Sequence, residues 1–395
     1  MAQTPTMPRA LRRILRLEDF EPAARAYLPR PIFGYVAGAA EDNASLRMNR
    51  ASFDDYSFVH RVMVNVSQRS QAVELFGRSY ASPFGIAPMG MAALYAYRGD
   101  LVMAAAARDA NVPMILSGSS LIPMEEVVKE APDTWFQAYL PGETAPAMAL
   151  IDRAGRAGFR TLVITVDVSV MANRENNIRS GFSAPLRPSL RLAWDGVTHP
   201  SWLLGTFTRT LLRHGMPHFE NNFAGRGAPI LSSNVLRDYN DRGHITWKHL
   251  EAIRRVWPGP MVLKGILRPQ DAVTAREIGA DAIVVSNHGG RQLDGCAAPL
   301  RVLPGIVAAV PDLPVLLDSG VRRGTDVLKA IGLGARMVLV GRPFAYAATI
   351  AGQAGVAHGI KLLSDEVFRN MGMLGIANLA DMTPDFLRRE YPGAA

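Results

Sequence analysis

Cysteine is almost missing from this chain: of 395 residues, only Cys296 carries a thiol. This excludes an internal disulfide framework and any cysteine-based zinc site, and it fits a reducing compartment. No metal site is expected. Long apolar runs are also absent, since none approaches the roughly 18–20 residues that a membrane-spanning helix needs. The stretch 1–20 holds Arg9, Arg12, Arg13 and Arg16 but no continuous apolar segment, so a secretory signal is not expected there. A basic first helix is the better reading, with a mitochondrial-type presequence as the alternative. Acidic residues are in deficit, 35 Asp and Glu against 43 Lys and Arg, for a net charge of +8. Such an excess can serve nucleic acid, anionic lipid or an anionic substrate. With no nucleic-acid module and no aromatic–basic stacking pattern, no nucleic-acid partner is expected.

What the chain does have is a rhythm. Short apolar runs bounded by Gly, Pro or Asp recur at 84–88, 112–117, 134–139, 160–167, 260–265, 282–287, 314–319 and 336–341. They are nearly continuous rather than alternating, as parallel strands buried on both faces are. Ala-rich amphipathic stretches at 100–110, 145–157, 269–278 and 324–331 lie between them, several ending at a glycine suited to a helix C-terminus (Gly158, Gly279, Gly334). Eight βα units over about 260 residues predict a TIM (β/α)8 barrel. A doubly wound open sheet fits less well, because the turn after the first strand lacks the glycine fingerprint. The whole chain, 1–395, reads as one barrel domain, with an N-terminal helical arm over 1–75. A long insertion at 180–241, in the loop after the fourth strand, has no strand of its own.

In this fold the active site forms where strands end. Polar residues gather there: Ser117, Gln137 and Tyr139, Thr165 and Asp167, Lys264, Asn287 and His288, Asp318, and Gly341 with Arg342. His288 and Arg291 stand three residues apart in Ser286-Asn287-His288-Gly289-Gly290-Arg291, straight after an apolar strand. An imidazole can take a hydroxyl proton and a guanidinium can hold a carboxylate, a pairing suited to a 2-hydroxy acid. The bland alternative is a strand cap beside a solvated charge. The glycines after His288 are expected to let a flat cofactor or a substrate approach the backbone. After strands seven and eight, Asp318-Ser319-Gly320-Val321-Arg322 and Gly341-Arg342 offer the glycines and arginines of a phosphate site. Lys264 is either a desolvated Schiff-base amine, as in a lyase acting on sugar phosphates, or a fixed cation.

The motifs SNHGGRQLDG (286–295), LDSGVRRGTD (317–326), VLVGRP (338–343), VLKGI (262–266), WFQAY (135–139), ITVDV (164–168) and YVAGAAEDN (35–43) together resemble the FMN-dependent 2-hydroxy acid dehydrogenase and oxidase family. The resemblance runs from about residue 18 to about 380 and leans toward the L-lactate and (S)-mandelate dehydrogenases. It implies an FMN cofactor and an (S)-2-hydroxy acid oxidised to the 2-oxo acid, with hydride passing from Cα to flavin N5. It further implies His288 as base, Asp167 as its partner, Tyr139 facing the substrate hydroxyl, and Lys264 beside flavin N1 and O2. Tyr35, Arg174 and Arg291 would bind the carboxylate. Pro88, Met89, Gly90, Ser117, Gln137, Thr165 and Ser286 would surround the flavin ring, Asp318 the ribityl chain, and Gly320, Arg322, Gly341 and Arg342 the phosphate. Gly90 is similar to the dehydrogenase members, which implies a quinone or other acceptor; an oxidase releasing H2O2 is the alternative. Met91, Met171 and Phe182 are candidates for the side-chain pocket.

Within the insertion, Trp202, Leu203, Leu204, Phe207, Leu211 and Leu212, with Arg209 and Arg213 alongside, suggest an apolar face at 199–214. It would serve as a peripheral membrane contact, as an active-site lid or as a packing surface for another subunit. The resemblance implies a homo-oligomer, a tetramer, in the cytoplasm or on the cytoplasmic face of the membrane.

Overall fold

The computed structural model describes residues 7–183, 189–232 and 242–390. Positions 184–188 and 233–241 of the expected insertion, and residues 1–6 of the arm, lie outside the described residues.

Eight short strands form the centre: β1 (Phe84–Ile86), β2 (Ile115–Ser117), β3 (Trp135–Ala138), β4 (Leu162–Thr165), β5 (Met261–Ile266), β6 (Ala282–Val285), β7 (Val315–Leu317) and β8 (Met337–Val340). Seven of them fall wholly inside the expected runs, and β5 reaches one residue past its run to Ile266. They pair in the parallel order β1-β8-β7-β6-β5-β4-β3-β2. A parallel bridge between Ile86 and Met114, with the Ile86 N–H donating to Pro113 O at 2.8 Å, joins the two ends. The result is the predicted TIM barrel. Its strands are apolar throughout because both faces are covered: Leu162, Val163 and Ile164 of β4 are all fully buried. Helices Gly99–Asp109, Thr144–Ala157, Pro269–Glu277 and Gly324–Gly332 lie where the Ala-rich stretches predicted them.

The register carries functional weight. Ser117 pairs with Gln137, and Thr165 with Lys264, so these polar strand ends share one rim of the barrel. β5 has an irregularity between Lys264 and Ile266, at Gly265 with φ +113°. A Cβ on Gly265 would lie 2.7 Å from the Asp167 side chain, so glycine is what lets Asp167 approach the lysine strand.

Two expectations need correction. The arm is helical only in its first two thirds, at Phe20–Tyr27, Arg30–Ala37 and Ala44–Ala51. Beyond these, Tyr56–Phe58 pairs antiparallel with Leu387–Arg389 near the other end of the chain, a long-range pairing no local pattern announces. Val73–Leu75 and Arg78–Tyr80 form a hairpin through Phe76-Gly77, both at positive φ.

The apolar face expected at 199–214 is split. Trp202 is buried, its Nε1 donates to Leu94 O at 2.7 Å, and its ring stacks on Phe207, so this part packs onto the barrel. Leu204 and Leu212 point outward, at 67% and 82% exposure. Arg209 covers the Tyr97 ring at 3.8 Å. The preceding helix, Leu190–Val197, was not foreseen, and on it Leu190, Trp194 and Val197 are all strongly exposed.

Candidate active site

The strand ends open onto a cavity of about 490 Å³. Among the sequence candidates, Tyr35, Pro88, Met89, Gly90, Tyr139, Thr165, Arg174, Lys264, His288, Arg291, Asp318, Gly320, Arg322, Gly341 and Arg342 all line it. Ser117, Gln137, Asp167 and Ser286 do not; Asp167, Ser286 and Ser117 hold the lining residues His288, Lys264 and Ser119, and Gln137 holds Ser117. Ser286 Oγ accepts from Lys264 Nζ at 2.8 Å and from the His288 N–H at 3.0 Å. Ser117 Oγ donates to Gln137 Oε1 at 3.2 Å.

His288 follows β6 with φ +57°, a left-handed conformation costly for a side chain with a Cβ. Its Nδ1 lies 3.0 Å from Asp167 Oδ1 and its Nε2 3.4 Å from Tyr139 Oη. Burial alone would raise the Asp167 pKa, but the charge and hydrogen bond of His288 and the charge of Lys264 outweigh it and leave the carboxyl below its usual range. Asp167 is therefore ionised, and Nδ1–H must be the donor. Withdrawal from bulk water lowers the His288 pKa below the ordinary imidazole value; Asp167 opposes this, and the Lys264 and Arg174 charges add to it. The shift favours the neutral imidazole, whose Nε2 faces the cavity and Tyr139.

Gly289 and Gly290 also make room for residues of the chain itself. Both have positive φ. A Cβ on Gly289 would lie 3.0 Å from the Arg342 guanidinium, and one on Gly290 2.7 Å from the Leu46 backbone nitrogen. Their missing side chains admit Arg342 and the arm helix Ala44–Ala51, and Gly289 also lines the cavity.

Lys264 is buried, with Nζ 3.0 Å from Asp318 Oδ2. Burial pulls its pKa down, but the charges of Asp318 and Asp167 and the Asp318 hydrogen bond prevail and raise it above the usual lysine value. It is a fixed cation. A Schiff-base amine must be neutral to attack, so this ion pair counts against the lyase alternative.

Four guanidiniums at the wall form no ion pair with a carboxylate among the described residues. Arg174 Nη2 donates to Gln292 Oε1 at 2.8 Å, and Arg291 Nη1 to the carbonyls of Tyr35 and Gly38 at 2.8 and 2.6 Å. Arg342 reaches Gly38 O and Gly289 O, while Arg322 donates to Val321 O. Desolvation, then the charge of Arg174, pulls the Arg291 pKa down to about 9; desolvation takes Arg342 to about 10. A site that crowds cations without acid partners is built for anions. Two buried polar atoms add to this: Gln137 Nε2 and Thr165 Oγ1 have no hydrogen-bond partner among the described residues.

Several lining residues had not been singled out. Gln292 bonds Arg174 and the Asp167 carbonyl, and Arg242 lies over the Tyr139 ring at 5.0 Å. Gln292 sits inside the quoted motif and could have been found there; Arg242 is an isolated arginine with no pattern around it. The candidates Met91, Met171 and Phe182 do line the cavity, with Phe182 stacked on Tyr35 at 4.6 Å.

Comparison with known proteins agrees with this geometry. The family model described as FMN-dependent dehydrogenase matches residues 24–389. An L-lactate dehydrogenase of Xanthomonas axonopodis pv. citri (strain 306) is 42% identical over 381 residues, covering 94% of this chain and 95% of that one. One from Ectopseudomonas mendocina (strain ymp) is 40% identical, over 94% and 98% of the two chains. Among solved structures, the monotopic membrane protein (S)-mandelate dehydrogenase superposes with a TM-score of 0.88 at 33% identity, over 96% of this chain and 100% of that one. A mandelate oxidase bound to benzoyl-formic acid superposes with a TM-score of 0.79 at 36% identity, over 95% and 98%. Matched along nearly its whole length in sequence and in fold, this chain belongs to the family of FMN-dependent 2-hydroxy acid dehydrogenases.

Proposed function

We propose that the protein oxidises an (S)-2-hydroxy acid with a bulky apolar side chain and passes the electrons to a membrane quinone or a similar acceptor. The observation that carries this is His288, held by Asp167, facing the same cavity as Arg174 and Arg291, two cations without acid partners among the described residues.

The residues fit an FMN. Gln137 Nε2 and Thr165 Oγ1, at the rim, are buried polar atoms lacking partners among the described residues. Arg322 lies just before the helix Gly324–Gly332, and Arg342 begins the helix Arg342–Leu374. Helix N-termini of this kind favour a phosphate. Gly320, Arg322, Gly341 and Arg342 would hold the phosphate, and Asp318 the ribityl hydroxyls. Pro88, Met89, Gly90 and Thr165 would surround the ring, backed by Ser117, Gln137 and Ser286, with Lys264 as the cation at its electron-accepting end. When bound, FMN supplies the two-electron acceptor for the Cα–H of the substrate.

The chain's own residues supply the rest. Arg174 and Arg291 clamp the substrate carboxylate, assisted by Tyr35, whose hydroxyl donates to Gly90 O at 3.3 Å. Tyr139 orients the hydroxyl group. His288 Nε2 removes its proton, and Asp167 stabilises the resulting imidazolium. A base placed this way is worth roughly 10²–10⁴ in rate. Met91, Met171, Phe182 and Phe219 supply an apolar wall for the side chain. A second reading, a lactate-sized substrate, is favoured by the 42% identity to an L-lactate dehydrogenase.

A membrane acceptor is supported by the exposed Leu190, Trp194, Val197, Leu204 and Leu212 of the insertion. No helix among the described residues is long and apolar enough to cross a bilayer, so contact would be peripheral. The test is anaerobic flavin bleaching with both mandelate enantiomers, L-lactate and glycolate, followed by reoxidation with oxygen or a quinone analogue. Fastest bleaching by (S)-mandelate with preferential quinone reoxidation is expected. Bleaching by none of the four acids would overturn the substrate class, and rapid stoichiometric peroxide would make the protein an oxidase.

A further inference from the structure

The arm helix Ala44–Ala51 contributes nothing to the cavity wall, yet one turn of it touches both loops on which the proposed chemistry depends. Asn49 is buried and forms a reciprocal amide pair with Asn287: its Nδ2 donates to Asn287 Oδ1 at 2.8 Å, and its Oδ1 accepts from Asn287 Nδ2 at 2.7 Å. Asn287 immediately precedes His288, and its Oδ1 also receives the Gly290 N–H at 3.1 Å. The amide that shapes the left-handed His288–Gly290 turn is thus fixed in both donor and acceptor senses by Asn49.

One residue on, Arg50 faces the other loop. Its Nη1 donates to Gly320 O at 2.7 Å and to Asp326 Oδ2 at 2.6 Å. The same Asp326 oxygen accepts the backbone N–H groups of Arg322 and Arg323 at 2.8 and 3.0 Å. Gly320 is pressed against the helix: a Cβ there would lie 2.5 Å from Asn49 O, and its φ is +96°. The base loop and the phosphate loop are therefore referenced to adjacent residues of one helix.

We propose that Asn49 and Arg50 are positioning residues with separable duties, Asn49 setting the His288 turn and Arg50 setting the phosphate-binding loop. This rests on the functional reading above. Without Asn49, each side of the Asn287 amide loses its shorter bond and keeps only the longer one, Oδ1 to the Gly290 N–H at 3.1 Å and Nδ2 to Ala297 O at 3.2 Å, so the strained turn is held less firmly against relaxing toward negative φ. Without Arg50, Asp326 and the Gly320 carbonyl lose their shared cation, and the loop carrying Arg322 loosens.

The experiment uses flavin-loaded holoenzyme and two readouts. One is the rate and pH profile of anaerobic flavin bleaching at saturating substrate; the other is FMN release on dilution, followed by the rise in flavin fluorescence. Asn49→Ala is expected to slow bleaching about tenfold or more and to move its acid limb, with FMN release unchanged within about twofold. Asn49→Gln, which keeps both the donor and the acceptor of the amide on a longer stem, is expected to fall between and guards against a misfolded alanine variant. Arg50→Met is expected to speed FMN release about tenfold while the saturated bleaching rate and its acid limb stay put, and Arg50→Lys to restore most of the retention. If both positions move the same parameter, or neither moves its own, the proposal fails. The FMN-release arm does not involve His288, so an error in the choice of base, exposed by fast bleaching in His288→Ala, leaves a separate signature.

Discussion

Asp167 accepts the Nδ1 proton of His288 at 3.0 Å, which turns the other ring nitrogen toward the cavity and toward Tyr139. This one hydrogen bond fixes the tautomer, the ring orientation and the sign of the electrostatic coupling. A pH prediction follows from that sign. Burial holds the His288 pKa below its ordinary value, so flavin bleaching should fall only as pH drops through that lowered pKa. Asp167 is the group that raises the His288 pKa, so Asp167→Asn should move the acid limb further down while cutting the maximal rate about 10²–10⁴-fold. Stopped-flow bleaching across pH 4–9 (about five units, spanning the His and carboxylate ranges) reads both; an upward shift of the limb would contradict the assignment.

The paired cations make a second prediction. Arg174 and Arg291 repel each other, and a substrate carboxylate relieves that repulsion. Arg291→Met or Arg174→Met should raise KM about 10–100-fold, the worth of one or two charge-assisted hydrogen bonds at roughly 1.5–3 kcal/mol each. Steady-state kinetics decides it, and an unchanged KM with a lowered kcat would reassign the residue.

Gly90 faces Tyr35. A Cβ on it would lie 3.2 Å from Tyr35 Oη and 3.1 Å from Ser119 Cβ, tight enough to displace the phenol. Gly90→Ala should therefore weaken substrate binding by about 1–2 kcal/mol, an effect of roughly 5–30-fold on KM, with little change in thermal stability. Retained KM would mean that Tyr35 has room to yield and plays no part in holding the substrate.

The insertion helix Leu190–Val197 is expected to meet lipid through Leu190, Trp194 and Val197, which recur at helical spacing on one side. Trp194→Ser together with Leu190→Ser should reduce co-sedimentation with anionic vesicles at least severalfold and leave bleaching by substrate intact. Equal sedimentation of variant and parent would assign this face to a protein partner.

Much of this was legible in the chain. Apolar runs and Gly-terminated helices located all eight strands, because parallel strands buried on both faces have a periodicity of their own. The rim residues could be found because strand ends in a barrel converge. Pairings distant in sequence could not. Tyr56–Phe58 joins Leu387–Arg389 only once the barrel has brought them together. Trp202 reads as part of an exposed face until Leu94 O is seen to take its indole proton.

The sequence by itself determined the barrel, the family and which side chains gather at the rim, since strand periodicity and short motifs are local properties. Only the tertiary structure decided what those side chains are to one another. Lys264 is a fixed cation because Asp318 lies 3.0 Å away, and two glycines are needed because Arg342 and Leu46 occupy the space a Cβ would take. Charge state and close approach depend on distance between residues far apart in the chain, and that distance exists only after folding.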